Sequence, residues 1–218
     1  MKKTLVTLCA VSAPFLANTA FAADVGTPAI IGIYDGIEYN FWRQNYQVNG
    51  TSDGDESGYM ASFVYTPETV IIPNMRAATT EINGNTLNYD KQDLSLYYNI
   101  INTDYGLISL GGGWSQALGH SYLSGQKKSL DKIKGHVFGA VEIGSAVTGI
   151  LFAQGIFSEG QYDYKVGWKY PFKADSIELD LQAGYRAFEI DFADFGGLNN
   201  AVKSSVDGFF IGASLYLL

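Results

Sequence analysis

The stretch DYKVGWKYPFKADSIELDLQAGYR, residues 163–186, decides the fold. Before Pro171, aromatic and aliphatic residues occupy every second position, and charged residues or glycine lie between them. The same alternation resumes at Ile177 and continues to Tyr185. Because successive side chains of a β-strand point to opposite faces of the sheet, this pattern predicts two strands, each with one apolar and one charged face. The break at Pro171 predicts a turn over 171–175.

An alternation of period two recurs along most of the chain and predicts ten antiparallel strands. Besides the two strands of the opening stretch, we expect them at 30–42, 58–66, 74–82, 86–100, 106–117, 133–144, 149–157 and 205–218. Asn83-Gly84-Asn85 is a hairpin signal between two of these strands. If 145–160 does not form a hairpin, the count falls to eight.

The predicted connections differ in length at the two ends of the strands. Short turns at 66–69, 102–105, 145–148 and 171–175 alternate with polar loops at 43–57, 118–132 and 191–204. An even number of strands, short turns at one end and long loops at the other are typical of an outer-membrane β-barrel. The apolar face then meets lipid and the charged face lines the lumen, with both chain termini in the periplasm.

A soluble β-barrel or sandwich is the alternative, since its strands show the same alternation with the apolar face inside. The composition favours the membrane reading. Aromatic residues make up 14% of the chain, and charged residues only 17%, against roughly 25% in an average soluble domain.

The first 22 residues have the pattern of a secretory signal peptide. Lys2 and Lys3 precede an apolar run, and Ala20-Phe21-Ala22 forms a small-residue cleavage site. We therefore expect export and a single outer-membrane barrel domain at 23–218.

The predicted mature chain carries a strong negative charge and no thiol. Loss of Lys2 and Lys3 leaves 12 Lys and Arg against 22 Asp and Glu, a net charge of −10, which argues against nucleic acid as a partner. Cys9 lies in the signal peptide, so disulfides and cysteine-ligated metals are excluded. No metal or cofactor motif is present, and we expect no cofactor.

Ionisable residues at inward positions are candidate lumenal charges. They are Lys91, Asp93, His136, Glu142, Lys165, Lys169, Glu178, Asp180 and Arg186. They could form a selectivity ring or bind a polar ligand, but an ion-pair network that fills a narrow barrel is the favoured interpretation.

The opening stretch predicts a particular register for these charges. If its turn centres near Lys173, Lys169 lies opposite Glu178 and Lys165 lies opposite Gln182. Asp180 is then diagonal to both lysines.

Aromatic residues near strand ends are candidates for the interfacial belts of a membrane barrel. They are Tyr39, Trp42, Trp114, Trp168 and Tyr170.

A hydrolase would require a serine, a histidine and an acid within hydrogen-bond reach. His120 and Ser121 fall in a predicted loop, whereas His136 and Glu142 fall in a strand. This separation argues against a triad, and two such distant histidines give no metal-ligand spacing.

Four segments carry a family resemblance: PETVIIPNMRAATTEINGNTLNYDKQDLSLYYNIIN, DYKVGWKY, LDLQAGYRAFEIDFADFGGL and VDGFFIGASLYLL. In these the chain resembles a family of small proteobacterial outer-membrane β-barrel proteins of unassigned function, over nearly the whole mature sequence. As an outer-membrane barrel, the chain is expected to contact outer-membrane lipid and lipopolysaccharide. The resemblance implies no active site. Such barrels usually end in an aromatic residue that the assembly machinery reads, whereas this chain has Tyr216 and then Leu218 in the last place.

Three functions are open at this stage. The first is a non-enzymatic envelope protein, either structural or a narrow conduit for small solutes. The second is a surface interaction protein that binds an extracellular ligand through the loops at 43–57, 118–132 and 191–204. The third, an outer-membrane lipid hydrolase or acyltransferase, has the least support.

Overall fold

The structure is a computed structural model that describes residues 35–69, 71–123, 126–195 and 202–218. The predicted signal peptide, 1–22, lies outside the described residues. The described elements are β1 (Asp35–Val48), β2 (Thr51–Tyr65), β3 (Asn74–Asn83), β4 (Leu87–Thr103), β5 (Gly106–Leu123), β6 (Gln126–Ser145), β7 (Gly149–Ser158), β8 (Gln161–Ala174), β9 (Ile177–Asp191), α1 (Phe192–Phe195) and β10 (Lys203–Leu217).

The ten strands form a closed antiparallel barrel. Each strand pairs with its neighbours in the chain, and β1 closes the sheet against β10 from Asp35↔Leu217 to Val48↔Ser204. The count of ten is confirmed. The eight-strand alternative is wrong, because β6 and β7 form a paired hairpin from Ser145↔Gly149 onward. Closure leaves no unpaired sheet edge.

The two ends of the barrel are named by what they hold. The proximal end holds Asp35 and Leu217 together with the turns after β2, β4, β6 and β8. The distal end holds the β1–β2 turn and α1. Among the described residues, no helix is both long and apolar enough to cross a bilayer.

The predicted loop at 43–57 is wrong. β1 and β2 continue through this segment and meet in a two-residue turn at Asn49-Gly50. Both turn residues have positive φ, 50° and 76°. A two-residue hairpin turn whose twist matches that of its strands requires this backbone, which Asn-Gly adopts at low cost.

Two further connections differ from the prediction. The loop expected at 118–132 is largely strand, because β5 extends to Leu123 and β6 begins at Gln126. β8 also passes through Pro171 to Ala174, so the predicted turn at 171–175 is wrong. Pro171 lies beyond Lys169, the last β8 residue paired with β7. The strand has one neighbour fewer there, and a missing N–H donor is tolerated. The connection predicted at 191–204 agrees with the end of β9 at Asp191 and the start of β10 at Lys203.

The side-chain polarity of the barrel inverts along its axis. In the proximal part of β1, Ile37, Tyr39 and Phe41 point outward and are more than half exposed. In its distal part, Trp42 and Tyr46 point inward and are buried. We call the proximal part the membrane layer and the distal part the distal layer.

The inversion recurs on other strands. The outward face of the membrane layer is apolar and includes Leu94, Leu96, Tyr98, Leu110, Trp114, Val137, Leu151, Val166, Trp168, Leu179, Leu181, Phe209 and Ile211. The inward face of the distal layer is also apolar and includes Ile82, Leu87, Tyr89, Leu130, Phe188, Ile190, Phe192, Val202 and Val206. An exposed apolar band around a polar interior defines a transmembrane β-barrel. The chain therefore has the fold of a closed, ten-stranded transmembrane barrel.

Candidate functional site

The candidate site is the lumen of the membrane layer, where charged side chains fill the barrel. All nine residues predicted as lumenal charges lie on inward-facing strand positions. Eight of them are buried, namely Lys91, Asp93, His136, Lys165, Lys169, Glu178, Asp180 and Arg186. Glu142 is less deeply buried, with 23% of its side chain exposed. We call this set, with the partners described below, the charged layer.

Asp163 is the centre of the most distal group in the charged layer. Its carboxylate accepts hydrogen bonds from Lys91 Nζ at 2.7 Å and from Arg186 Nε and Nη2 at 2.8 and 2.6 Å. Lys91 also donates to Asp93 at 2.5 Å. Two cations and two carboxylates thus neutralise one another in a buried, hydrogen-bonded network, which is the arrangement that buried charges require.

His136 extends this network through two serines. Ser115 donates to Asp93 Oδ1 at 2.6 Å, so its oxygen accepts from His136 Nδ1 at 2.9 Å. His136 Nε2 is then the acceptor for the Ser95 hydroxyl, also at 2.9 Å. Ser95 is fully buried, so its hydroxyl is closed to a substrate carbonyl. The chain of bonds has the residue types of a hydrolase, but the acid is bonded to a serine and not to the histidine.

Glu38 forms a second group in the middle of the lumen. It pairs with Lys165 at 2.5 Å and accepts from Asn40 Nδ2 at 2.5 Å. Gln182 in turn donates to Asn40 Oδ1 at 2.8 Å. The Lys165 ammonium also lies 5.4 Å from the centre of the Phe152 ring. This group joins β1, β8 and β9 across the barrel interior.

Lys169 is the central cation of the proximal group. Its ammonium lies 3.0 Å from Glu142 and 3.3 Å from Asp180. Lys173 pairs with Glu178 at 3.0 Å, nearer to the proximal opening.

The predicted register of β8 and β9 is wrong by four residues. Lys169 lies opposite Gln182, and Lys165 opposite Arg186. The prediction began the turn at Pro171 and centred it near Lys173, whereas β8 continues to Ala174. The shift is even, so every side chain keeps its predicted face. Asp180 lies opposite Pro171, so it is diagonal to Lys169 and Lys173 but not to Lys165.

Four charged residues of the lumen were not among the predicted candidates: Glu38, Arg76, Asp163 and Lys173. Asp163 shares the inward parity of Lys165, and Glu38 that of Asn40, so the alternation alone could have found them. Arg76 lies among small polar residues of β3, where apolar alternation is weak.

The apolar side chains of the distal layer close the barrel above the charged layer. Trp42, Tyr46, Tyr89 and Phe188 are at most 1% exposed, and α1 adds Phe192 to the same cluster. Tyr46 and Tyr89 still satisfy their hydroxyl groups, on Leu87 O at 3.2 Å and Ser204 Oγ at 2.8 Å. The lumen is therefore filled by packed side chains at its distal end.

The predicted belt aromatics divide into two groups. Tyr39, Trp114 and Trp168 are 57%, 53% and 44% exposed on the outer face, and Tyr170 also points outward. The placement of Trp42 in the belt is wrong: its ring points inward, where it stacks under Arg186 with 5.0 Å between the guanidinium carbon and the ring centre. Trp42 has the parity of the inward residues of β1.

The hydrolase residues considered in the sequence are not brought together. His120 and Ser121 are adjacent on β5, so they point to opposite faces of the sheet, and Ser121 is buried on the inner one. His136 bonds to Ser95 and Ser115. In the described part of the chain, no group of three His, Cys, Asp or Glu residues is arranged to hold a metal ion.

Comparison with known proteins finds likeness only among solved structures. No protein-family model and no curated protein sequence matches the chain. It is similar to Neisserial surface protein A at 13% identity and a TM-score of 0.39, over 84% of this chain and 97% of that one. It is similar to the outer membrane protease OmpT from Escherichia coli at 9% identity and a TM-score of 0.44, over 88% and 99%. It is also similar to CymD, a monoaromatic hydrocarbon channel, at 9% identity and a TM-score of 0.30, over 85% and 88%.

Proposed function

We propose that this chain is a non-enzymatic structural protein of a bacterial outer membrane, with a lumen sealed by side chains. It is exported by the signal peptide at 1–22 and inserted by the outer-membrane assembly machinery. Its proximal end faces the periplasm, and the apolar band contacts outer-membrane lipid and lipopolysaccharide. The resemblance to small proteobacterial barrels of unassigned function supports this proposal.

The observation that carries the proposal is the filling of the lumen. Below the distal layer, Lys91, Lys165, Lys169 and Arg186 each have a carboxylate oxygen within 3.3 Å. Above them, the apolar cluster around Trp42 closes the barrel. An ion that crossed would have to break buried pairs and then pass an apolar layer, and both steps are costly. A stable sealed barrel is therefore favoured over the narrow conduit.

Planar-bilayer recording of the mature protein tests this proposal. We expect no unitary conductance, with insertion demonstrated by a heat-modifiable gel band from the same vesicles. Steady unitary currents would refute the sealed lumen. If Lys165→Gln also changed the preference of these currents for cations over anions, ions would pass through the charged layer. The chain would then be a narrow conduit for small solutes.

The shape of the distal layer favours a second candidate, surface interaction. β1 and β2 extend past the apolar band, with outward polar residues such as Arg43, Asn45 and Gln47. On a cell this layer would stand above the lipid and be open to an extracellular ligand, although most of 43–57 and 118–132 is strand and not loop. If whole cells still bind the extracellular ligand after the outward polar residues of this layer are replaced by neutral ones, this candidate is wrong.

A further inference from the structure

A cavity lies beside Arg76 in the proximal half of the lumen, below the Lys165–Glu38 pair. Its volume is about 100 Å³, which is room for several water molecules or for a ligand of a few heavy atoms. Its polar lining includes Arg76, Tyr97, Asn99, Gln154, Lys169 and Tyr216. Its lining residues come from every strand except β9. Val64, Leu107 and Tyr216 lie close to the proximal ends of their strands, and Thr66 lies in the proximal turn after β2, so the cavity lies near the proximal end.

Arg76 differs from the other inward-facing cations of the described chain. Lys91, Lys165, Lys169 and Arg186 are all ion-paired within the charged layer. No described carboxylate oxygen comes within the 4.0 Å of an ion pair from Arg76. A guanidinium group keeps its charge at all physiological pH values and carries five N–H donors. Arg76 is half-buried and interacts electrostatically with Glu38, but it presents its N–H donors to the cavity without an ion-pair partner of its own.

The neighbouring groups supply further donors on the same cavity. Gln154 borders both this cavity and a smaller one of about 20 Å³ on the other side of Arg76. The hydroxyl groups of Tyr97 and Tyr216 can donate to an anion, and the Lys169 ammonium adds positive charge at the far wall.

The other residues that line the cavity indicate which class of anion it binds. Glu38 and Glu142 also border the cavity, so a dianion would meet two like charges. Val64, Leu107 and Phe138 form an apolar wall, which suits a short hydrocarbon body. A small monoanion with an aliphatic tail satisfies both conditions. Its carboxylate can accept two parallel N–H bonds from the arginine fork.

We propose that the cavity beside Arg76 is a binding site for a short aliphatic carboxylate that enters from the proximal end. Arg76 binds the carboxylate group, and the wall formed by Val64, Leu107 and Phe138 holds the tail. The site lies below the sealed distal layer, so it serves binding from one side of the barrel and not passage through it.

Saturation-transfer NMR with butyrate on the detergent-folded mature protein tests the site. We expect a saturable signal in the wild-type protein and at least about tenfold weaker binding in Arg76→Gln, because a charge-assisted pair is lost. Arg43→Gln, which removes an outward arginine of β1, is the matched control and should bind as wild type. An equal concentration of phosphate should leave the butyrate signal unchanged.

A second variant separates the site from the folding of the barrel. Ala140 lines the cavity, and Ala140→Leu fills it while leaving Arg76 in place. This variant should also lose butyrate binding. If Arg76→Gln does not fold, as shown by the lack of a heat-modifiable band, Ala140→Leu tests the site in its place. No saturable signal in the wild-type protein, or undiminished binding in the folded variants, would overturn the proposal. Displacement of butyrate by phosphate would overturn the assigned class of anion.

Discussion

Replacement of Asp163 by asparagine should lower the free energy of unfolding by about 3–5 kcal/mol, the cost of leaving a buried charge without its partner. Asparagine keeps the shape of the side chain but removes its charge. Arg186 then loses the carboxylate that accepts two of its N–H groups at 2.8 and 2.6 Å. Lys91 keeps Asp93 at 2.5 Å, so the penalty falls mainly on Arg186.

Urea unfolding of the detergent-folded protein measures this penalty, followed by tryptophan fluorescence and by heat-modifiable gel mobility. With a urea dependence of about 3 kcal/mol per molar, the midpoint should fall by roughly 1–2 M. The two signals should move together if unfolding is two-state.

Two further variants define what would refute the reasoning. Glu159→Gln removes an ion pair to Lys134 whose carboxylate side chain is 77% exposed, and it should leave the midpoint unchanged. Asp163→Asn combined with Arg186→Gln should cost less than the sum of the two single variants, because no unpaired charge remains. If Asp163→Asn behaves like Glu159→Gln, the charged layer is hydrated and the sealed lumen is wrong.

Four other substitutions, one of them a control, test other parts of the barrel by urea unfolding or by folding yield. Phe188→Ala removes a fully buried ring from the apolar cluster of the distal layer and should cost about 3–5 kcal/mol. A Cβ at Gly208 would overlap the carbonyl oxygen of Arg43, so Gly208→Ala should reduce folding yield, while Gly135→Ala, whose Cβ meets its nearest atom at 3.9 Å, should not. Gly50→Ala meets no atom within 4 Å but keeps a φ of 76°, and should cost about 1–2 kcal/mol through backbone strain alone.

The strand count and the inward positions of the charged residues follow from alternation, because a period of two fixes which residues share a face. The register does not follow in the same way. A proline ends a strand at most positions in a sheet. Only the pairing of β7, which stops at Lys169, shows that Pro171 has one neighbouring strand and not two. The outward face of β10 does not follow from alternation either, since SVDGFFIGASLYLL is apolar on both sides. The structure resolves it by packing Val206 and Phe210 inward and exposing Phe209 and Ile211.

The two misassigned loops have a common physical cause. Both cover the distal layer, where the apolar alternation of the outward face is interrupted; in β1 the outward residues Arg43, Asn45 and Gln47 are polar, and Tyr46 and Val48 are buried inward. The outward apolar face of β1 therefore ends at Phe41, and the polar residues that follow it have the composition of a loop. The Asn49-Gly50 turn was the local signal that two strands continue there, since this dipeptide is the strongest short-range mark of a tight hairpin.

The inversion of polarity follows from a change of solvent along each strand. Next to lipid the outer face must be apolar, so the inner face takes the polar side chains, and a narrow lumen forces these into pairs. Beyond the lipid the outer face meets water, and the inner face can pack as the core of a soluble barrel does. Arg186 lies where the membrane layer and the distal layer meet. Its nitrogens bind Asp163. Its guanidinium carbon lies 5.0 Å from the centre of the Trp42 ring and 5.3 Å from the centre of the Phe188 ring. An arginine suits this boundary because it can form an ion pair and stack on aromatic rings at the same time.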